Sequence, residues 1–324
     1  MPVVSVVLVF HRVSPHLPSA IASVLAQTWS DFELVLVDNG AGATPEQLGP
    51  AGRDPRLVWV RLPRDEGIGV ATNAGVAAAR GEFIAFHDWD DLSYPTRFER
   101  QVAALRRDPS LGIVSALAEM IDEAGQPLGR RLFTLHDSAE FLRYSQYAAP
   151  FINPLAMGRR ELFVATPWRR EFRYAGDLDF QARVCERWRA AVLPEPLLHY
   201  RWHGTQTTQR YATLIAQSRH AIALLAARRR AGRSEEGPLP PLAENIPPAE
   251  HARAVAAQAL AENFAAPAGY LARRSLASDR SPRAVAAALR LAFQAWRNAP
   301  AAERSTVAAL FFKGPVRALR VHPA

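Results

Sequence analysis

The chain has 324 residues, 49% of them hydrophobic, enough to bury a large core in one main domain with room for an accessory part. Its formal charge of +8 rests almost wholly on arginine, with Lys313 the sole lysine, and no basic stripe interleaved with aromatics is present. That argues against a nucleic-acid binder and leaves an anionic substrate such as a nucleotide diphosphate open. The single cysteine, Cys185, excludes an intrachain disulfide; the N-terminus lacks the basic leader of a secreted precursor, and no apolar run is as long as a membrane span, so a cytoplasmic protein is expected.

Residues 3–10, "VVSVVLVF", read as a buried strand, short, β-branched and nearly all apolar. Residues 15–28 carry helical spacing, with Leu17, Ile21, Val24 and Leu25 on one face. Residues 32–38 make a second buried strand ending on Asp38, and residues 57–62 a third. Residues 67–80 predict a helix closed by Gly81 as its C-terminal cap, and residues 82–87 a fourth strand. Strands alternating with helices imply right-handed βαβ units and an α/β fold with a mostly parallel sheet, whose ligands bind beyond the carboxyl ends of the strands. Asp38 and Asp88 lie at two such ends. The segment 122–175 carries few recognisable motifs.

Past residue 210 the character changes. Residues 211–230 predict an amphipathic helix, "SEEGPLPPLAENIPP" a linker, and residues 249–262, 282–297 and 303–312 alanine-rich helices. The expected division is a main α/β domain, residues 1–210, and an α-helical C-terminal extension, residues 211–324. Val285, Leu289, Phe293 and Trp296 share one helical face, expected to pack on the main domain or on a second copy of the chain. The rival expectation is peripheral contact of these helices with an anionic membrane, at its inner face.

"GEFIAFHDWDDLSYP" runs from a buried strand into three carboxylates within four residues, Asp88, Asp90 and Asp91. A helix is expected to begin near Tyr94 and Pro95, with Ser93 as its cap, which leaves the aspartates without a capping role. A strand-end cluster of hard oxygen donors suits Mg²⁺ or Mn²⁺, cations that also bind substrate phosphates.

Four blocks occur in order: "VSVVLVFHR", "AIASVLAQTWSDFELVLVDNG", "NAGVAAARGEFIAFHDWDD" and "GDLDFQARVCERWRAAVLPEPLLHYRWHG". Together they resemble family 2 glycosyltransferases, enzymes of the GT-A nucleotide-sugar-binding fold. The resemblance implies transfer of a sugar, with inversion, from a nucleotide diphosphate sugar to a glycan, lipid-linked or small-molecule acceptor, with much of the acceptor contact expected in residues 122–175. It further implies that the acidic triplet acts as an Asp-X-Asp motif, Asp88 toward the ribose and phosphates, Asp90 on the divalent cation and Asp91 near the sugar. Asp38 matches the aspartate that receives the nucleotide base, and Asn73, Arg80 and Gly81 match as well, Asn73 near the donor pocket. Asp177 matches the general base, although the family's Glu-Asp pair is here Gly176-Asp177; Asp179 is the fallback. His11 stands where the family has a base-stacking tyrosine, and Arg12 replaces an asparagine.

In "LHYRWHG", His199, Arg201 and His203 share one face of a presumed strand, from which Arg201 and His203 could reach the diphosphate or the metal. Three other readings compete. "GIGVAT" suggests a dinucleotide-binding oxidoreductase, with Thr72 where the third glycine belongs. A sugar-phosphate nucleotidyltransferase would want a glycine-rich first loop and a phosphate-binding lysine. A non-catalytic nucleotide-sugar-binding module is favoured by the missing glutamate before Asp177. Glycosyl transfer accounts for the most residues.

Overall fold

The computed structural model describes residues 1–133, 145, 149–277, 279–312 and 320–323. Residues 134–144 and 146–148 of the segment expected to hold acceptor contacts lie outside the described residues. The chain forms two compact units. Of the described residues, 1–133, 149–206 and 320–323 make the first, and 145 with 207–312 make the second.

The first unit is built from β1 (Val4–Phe10), α1 (Leu17–Leu25), β2 (Phe32–Asn39), β3 (Leu57–Leu62), α2 (Ile68–Ala78), β4 (Phe83–Asp88), β5 (Leu92–Ser93) and α3 (Arg97–Arg107). β6 (Leu111–Ile121), β7 (Pro127–Phe133), β8 (Met157–Arg159), α4 (Arg160–Ala165), α5 (Gly176–Cys185), β9 (Arg189–Arg201) and β10 (Arg320–Pro323) follow. The strands form one sheet in the order β10-β7-β6-β8-β4-β1-β2-β3, with β9 parallel to β6 and β5 antiparallel to β9. The part β3-β2-β1-β4 is wholly parallel. The strand order reverses between β1 and β4, and ligands of open α/β sheets bind at such a switch point, outside the carboxyl ends. Phe10 pairs with Asp38, and Val9 with Asp88, so His11, Asp38 and Asp88 emerge at one edge.

β1 and β2 are buried along nearly their whole length, which is why their sequences run apolar instead of alternating. Val6, Leu8, Phe10, Leu34, Leu36, Phe83 and Phe98 form the center of the core. Ser5 and Glu33 are polar exceptions within it. The Ser5 hydroxyl donates to Glu33 at 2.6 Å, while the Arg80 N–H and guanidinium donate to the same carboxylate at 2.6–2.9 Å. The Gly81 N–H donates to Ser5 Oγ at 2.7 Å, and a Cβ on Gly81 would stand 2.6 Å from the Ser5 nitrogen. Gly81 therefore serves a close backbone approach. It does not cap α2, which ends at Ala78 with Ala79 as its C-cap. Ser93 likewise is not a cap: α3 begins at Arg97 behind Thr96, and the Ser93 hydroxyl accepts from buried Arg97 Nη1 at 3.1 Å.

The second unit contains α6 (Thr207–Arg210), α7 (Ala212–Arg230), α8 (Pro248–Ala261), α9 (Ala265–Arg274), α10 (Pro282–Asn298) and α11 (Arg304–Phe312). Its core is alanine-rich, with Leu224, Val255, Tyr270, Leu271, Val307 and Leu310 as the larger members. α9 was not anticipated from sequence; Asn263, at φ 64°, separates it from α8. α10 departs from the expectation of packing within the chain. Its buried face is Ala284, Ala288, Ala292 and Ala295, whereas Leu289, Phe293 and Trp296 are 49%, 60% and 40% exposed and Val285 is half-buried. The alanines have the same helical period as the large residues, offset by one position, and small side chains let helices approach closely. Among the described residues no helix is long and apolar enough to cross a membrane.

Candidate active site

The apolar run of β4 ends at Asp88, and the chain turns through Trp89, Asp90 and Asp91 into β5. Asp88, Asp90 and Asp91 each bring a carboxylate oxygen within 4.8 Å of the others. Asp90 and Asp91 are buried and Asp88 is half-buried. The end of β9 and the loop after it enclose the cluster. The Arg201 N–H donates to Asp91 Oδ1 at 2.9 Å, and His203 Nε2 lies 2.8 Å from Asp90 Oδ2. The other ring nitrogen of His203 is 2.9 Å from the Thr205 hydroxyl.

Burial pushes the Asp88 carboxyl up to about 8, with the charges of Asp90 and Asp177 adding to it and Arg97 opposing. Burial, then Asp90 and Asp88, push Asp91 well up too. Three crowded carboxylates cannot all be ionised without a counter-charge. Asp91 Oδ2 is buried with no hydrogen-bond donor. An oxygen-only donor set of crowded carboxylates with an orphaned acceptor fits a hard divalent cation such as Mg²⁺ or Mn²⁺.

The remaining expected site residues divide. Asp177 sits at the second position of α5, behind Ala175 as N-cap, and its charge acts on Asp88 and Tyr200, so the fold brings it to the acidic cluster. Asp179 is fully buried and ion-paired to Arg183 at 2.7 Å and Arg169 at 3.6 Å; a paired, solvent-excluded carboxylate is a poor proton acceptor. Arg201 is buried, and its guanidinium donates to the carbonyls of Asp90 at 2.8 Å, Glu123 at 2.9 Å and Asp122 at 3.2 Å. That arrangement braces the acidic loop from behind. His11 lies exposed just beyond β1.

Asp38 and Asn73 prove to be organisers of local backbone. Asp38 Oδ1 accepts from the N–H groups of Ala41 at 2.7 Å and Gly42 at 3.2 Å. Its Oδ2 accepts from Ala43 N–H at 2.8 Å and Arg61 at 3.3 Å, so the residue folds the loop after β2. Asn73 donates to the Trp168 carbonyl at 2.8 Å and accepts from the Trp168 N–H at 2.9 Å, joining α2 to the segment ahead of α5. The Trp168 ring packs on Phe86 and Phe180. A Cβ on Gly176 would stand 2.9 Å from that ring. Glycine at this position is thus the partner of a buried tryptophan.

Two residues, His16 and Trp89, escaped the sequence reading. His16, just before α1, has its ring 5.9 Å from that of His203, and burial lowers its pKa, with Arg201 adding. Trp89 lies 6.0 Å from His203, and the Arg12 guanidinium sits 5.2 Å over Trp89. A histidine in the β1–α1 loop, at the carboxyl edge of the sheet, was the available signal. Beside these, a cleft of about 360 Å³ is lined by Arg64, Asp65, Glu66, Gly69, Arg170 and Arg173.

A sequence model described as Glycosyl transferase family 2 matches residues 5–165, the stretch from β1 through α4 that contains the acidic cluster. The chain belongs to this family. Among relatives, it is 26% identical over 205 residues to the uncharacterized glycosyltransferase MJ1057 of Methanocaldococcus jannaschii, covering 62% of this chain and 71% of that one. Its fold is similar to Staphylococcus aureus TarS 1-349 in complex with UDP-GlcNAc, with TM-score 0.57 and 15% identity over 99% of this chain and 97% of that one. It is also similar to the mannosyltransferase PcManGT from Pyrobaculum calidifontis in complex with GDP-Man and Mn²⁺, with TM-score 0.52 and 19% identity over 97% and 79%. The family 2 glycosyltransferase fold is therefore the GT-A type expected from the four sequence blocks. The family match ends before Asp177, Arg201 and His203.

Proposed function

We propose that this family 2 glycosyltransferase moves a sugar from a nucleotide diphosphate sugar to an acceptor hydroxyl with inversion, assisted by Mg²⁺ or Mn²⁺. The observation that carries this reading is the cluster of Asp88, Asp90 and Asp91 at the carboxyl end of β4, with oxygens within 4.8 Å and Asp177 acting on it from α5. Asp88 and Asp90 would hold the cation. When bound, it supplies positive charge against the negative charge developing on the departing diphosphate.

The chain's own residues do the rest. His203 fixes the Asp90 carboxylate, and Arg201 fixes the loop that presents it. The donor's nucleotide lies along the carboxyl ends of β1 and β2, near His11 and the loop that Asp38 organises. Asp177 takes the proton from the acceptor hydroxyl as its oxygen attacks the anomeric carbon on the face opposite the diphosphate. The acceptor is a hydroxylated glycan, lipid-linked or small molecule. UDP and GDP sugars, borne by the two structural neighbours, are the donors to try first.

Calorimetry with UDP and GDP, with and without Mn²⁺, tests the metal reading: binding should need Mn²⁺ and be lost in Asp90→Asn. Nucleotide binding and turnover that persist unchanged in a chelator would refute it. A second reading, a non-catalytic nucleotide-sugar module, is favoured by Gly176 in place of the family's glutamate. Release of nucleotide diphosphate on donor turnover, absent in Asp177→Asn, decides between the two.

A further inference from the structure

Helix α10 exposes its large side chains. Leu289, Phe293 and Trp296, spaced four and three residues apart, form one continuous stripe, and the rings of Phe293 and Trp296 stack on each other at 6.2 Å. Arg283, Arg290 and Arg297 recur every seven residues along the adjoining face, all exposed, and the helix contains no acidic residue. Arg304 extends the positive charge, its guanidinium 5.1 Å over the Trp296 ring; the exposed Glu303 beside it is the nearest acid in sequence.

The charge of the whole chain is distributed the same way. Residues 207–324 hold 17 basic and 7 acidic residues, against 22 and 24 in residues 1–206. The net positive charge therefore belongs entirely to the part that carries α10.

An exposed Leu/Phe/Trp stripe edged by arginines has the composition of a helix that lies in a bilayer interface. We propose that α10 docks the protein on an anionic lipid surface. Leu289, Phe293 and Trp296 enter the acyl boundary, and Arg283, Arg290 and Arg297 meet the headgroups. Pairing of this face with its copy in a second chain would set arginine against arginine, with no carboxylate in the helix to separate them. A nucleic acid would be met by bases stacking on open ring faces, and here the two rings face each other. Vesicle binding needs no nucleotide, so this inference and the proposed sugar transfer fail independently.

The test is sedimentation of the full chain with vesicles of phosphatidylcholine alone or with phosphatidylglycerol. The chain should bind the anionic vesicles selectively and lose that binding as salt rises. Phe293→Ser/Trp296→Ser should lower binding by about tenfold or more, since each buried large side chain contributes roughly one such factor. Its melting temperature should stay near that of the parent because both positions are exposed. As a second readout, brominated lipid should quench tryptophan fluorescence of the parent and do so less in Trp296→Phe. Equal sedimentation with both vesicle types overturns the proposal. So does full binding by the serine variant, a fall in solution mass caused by that variant, or a gel shift with nucleic acid in place of vesicle binding.

Discussion

His203 Nε2 and Asp90 Oδ2 stand 2.8 Å apart, across 113 residues of sequence. The loop after the last long strand thus sets the position of a carboxylate at the end of β4. His203→Ala should leave Asp90 in place but loosely held. The Mn²⁺ concentration for half-maximal transfer should rise about 10–100-fold, the usual cost of losing a partner that orients a metal ligand. A Mn²⁺ titration of initial rates checks this; an unchanged requirement would separate His203 from the metal site.

Asp177 and Asp179 lie two residues apart and should respond differently. Asp177→Asn should lower kcat by about 10²–10⁴-fold while donor affinity stays the same. Asp179→Asn removes one side of a buried ion pair and should cost about 3–5 kcal/mol of stability. The folded remainder of that variant should keep a near-parental kcat per active enzyme. Active-site titration alongside thermal melting distinguishes the two, and the reverse pattern would make Asp179 the base.

Gly176 and Trp168 should be energetically coupled. Gly176→Ala places a methyl group against the indole and should lower the melting temperature. In the background Trp168→Leu the same change should cost less, with a coupling of about 0.5–3 kcal/mol. Strict additivity in the double-mutant cycle would mean that the glycine answers to some other neighbour.

Glu33 gives a pH signature. Burial pushes its carboxyl up, but the Ser5 hydroxyl and the Arg80 guanidinium and N–H outweigh that, so its pKa lies below the ordinary value of 4.5. A depressed folded pKa contributes stability that is complete above 4.5 and is lost as pH falls through the folded value. Glu33→Gln should therefore cost about 1.5–3 kcal/mol at pH 7, and the gap to the parent should narrow below pH 4.5. Urea unfolding at several pH values measures it; a gap independent of pH would assign the effect to packing.

The strands and the acidic cluster were legible in sequence because buried parallel strands leave apolar runs and because three close carboxylates are costly without a purpose. Individual roles were less legible. The family resemblance suggested ligands at Asp38 and Asn73, and strand alternation suggested one at Arg201; in the fold their polar atoms also bond backbone groups of Ala41–Ala43, Trp168 and the loops at Asp90 and Asp122–Glu123. A motif conveys residue type and order; the backbone partners exist only once the loops are folded. Gly81 looked like a cap for a similar reason, its close approach to Ser5 being a contact between residues 76 positions apart in sequence. On α10, large residues and alanines alternate with one period, and sequence periodicity does not tell which set faces inward.

The parallel pairing of β9 with β6, Leu111 with Arg189 through Ile121 with Arg201, bears on how the enzyme is made. A ribosome delivers Asp88, Asp90 and Asp91 early, and domains fold as units as they emerge. The peptide N–H that meets Asp91 and the imidazole that meets Asp90 are translated more than a hundred residues later. A nascent chain halted before β9 carries the acidic cluster without these supports, so the arrangement around Asp90 and Asp91 is completed only late in translation.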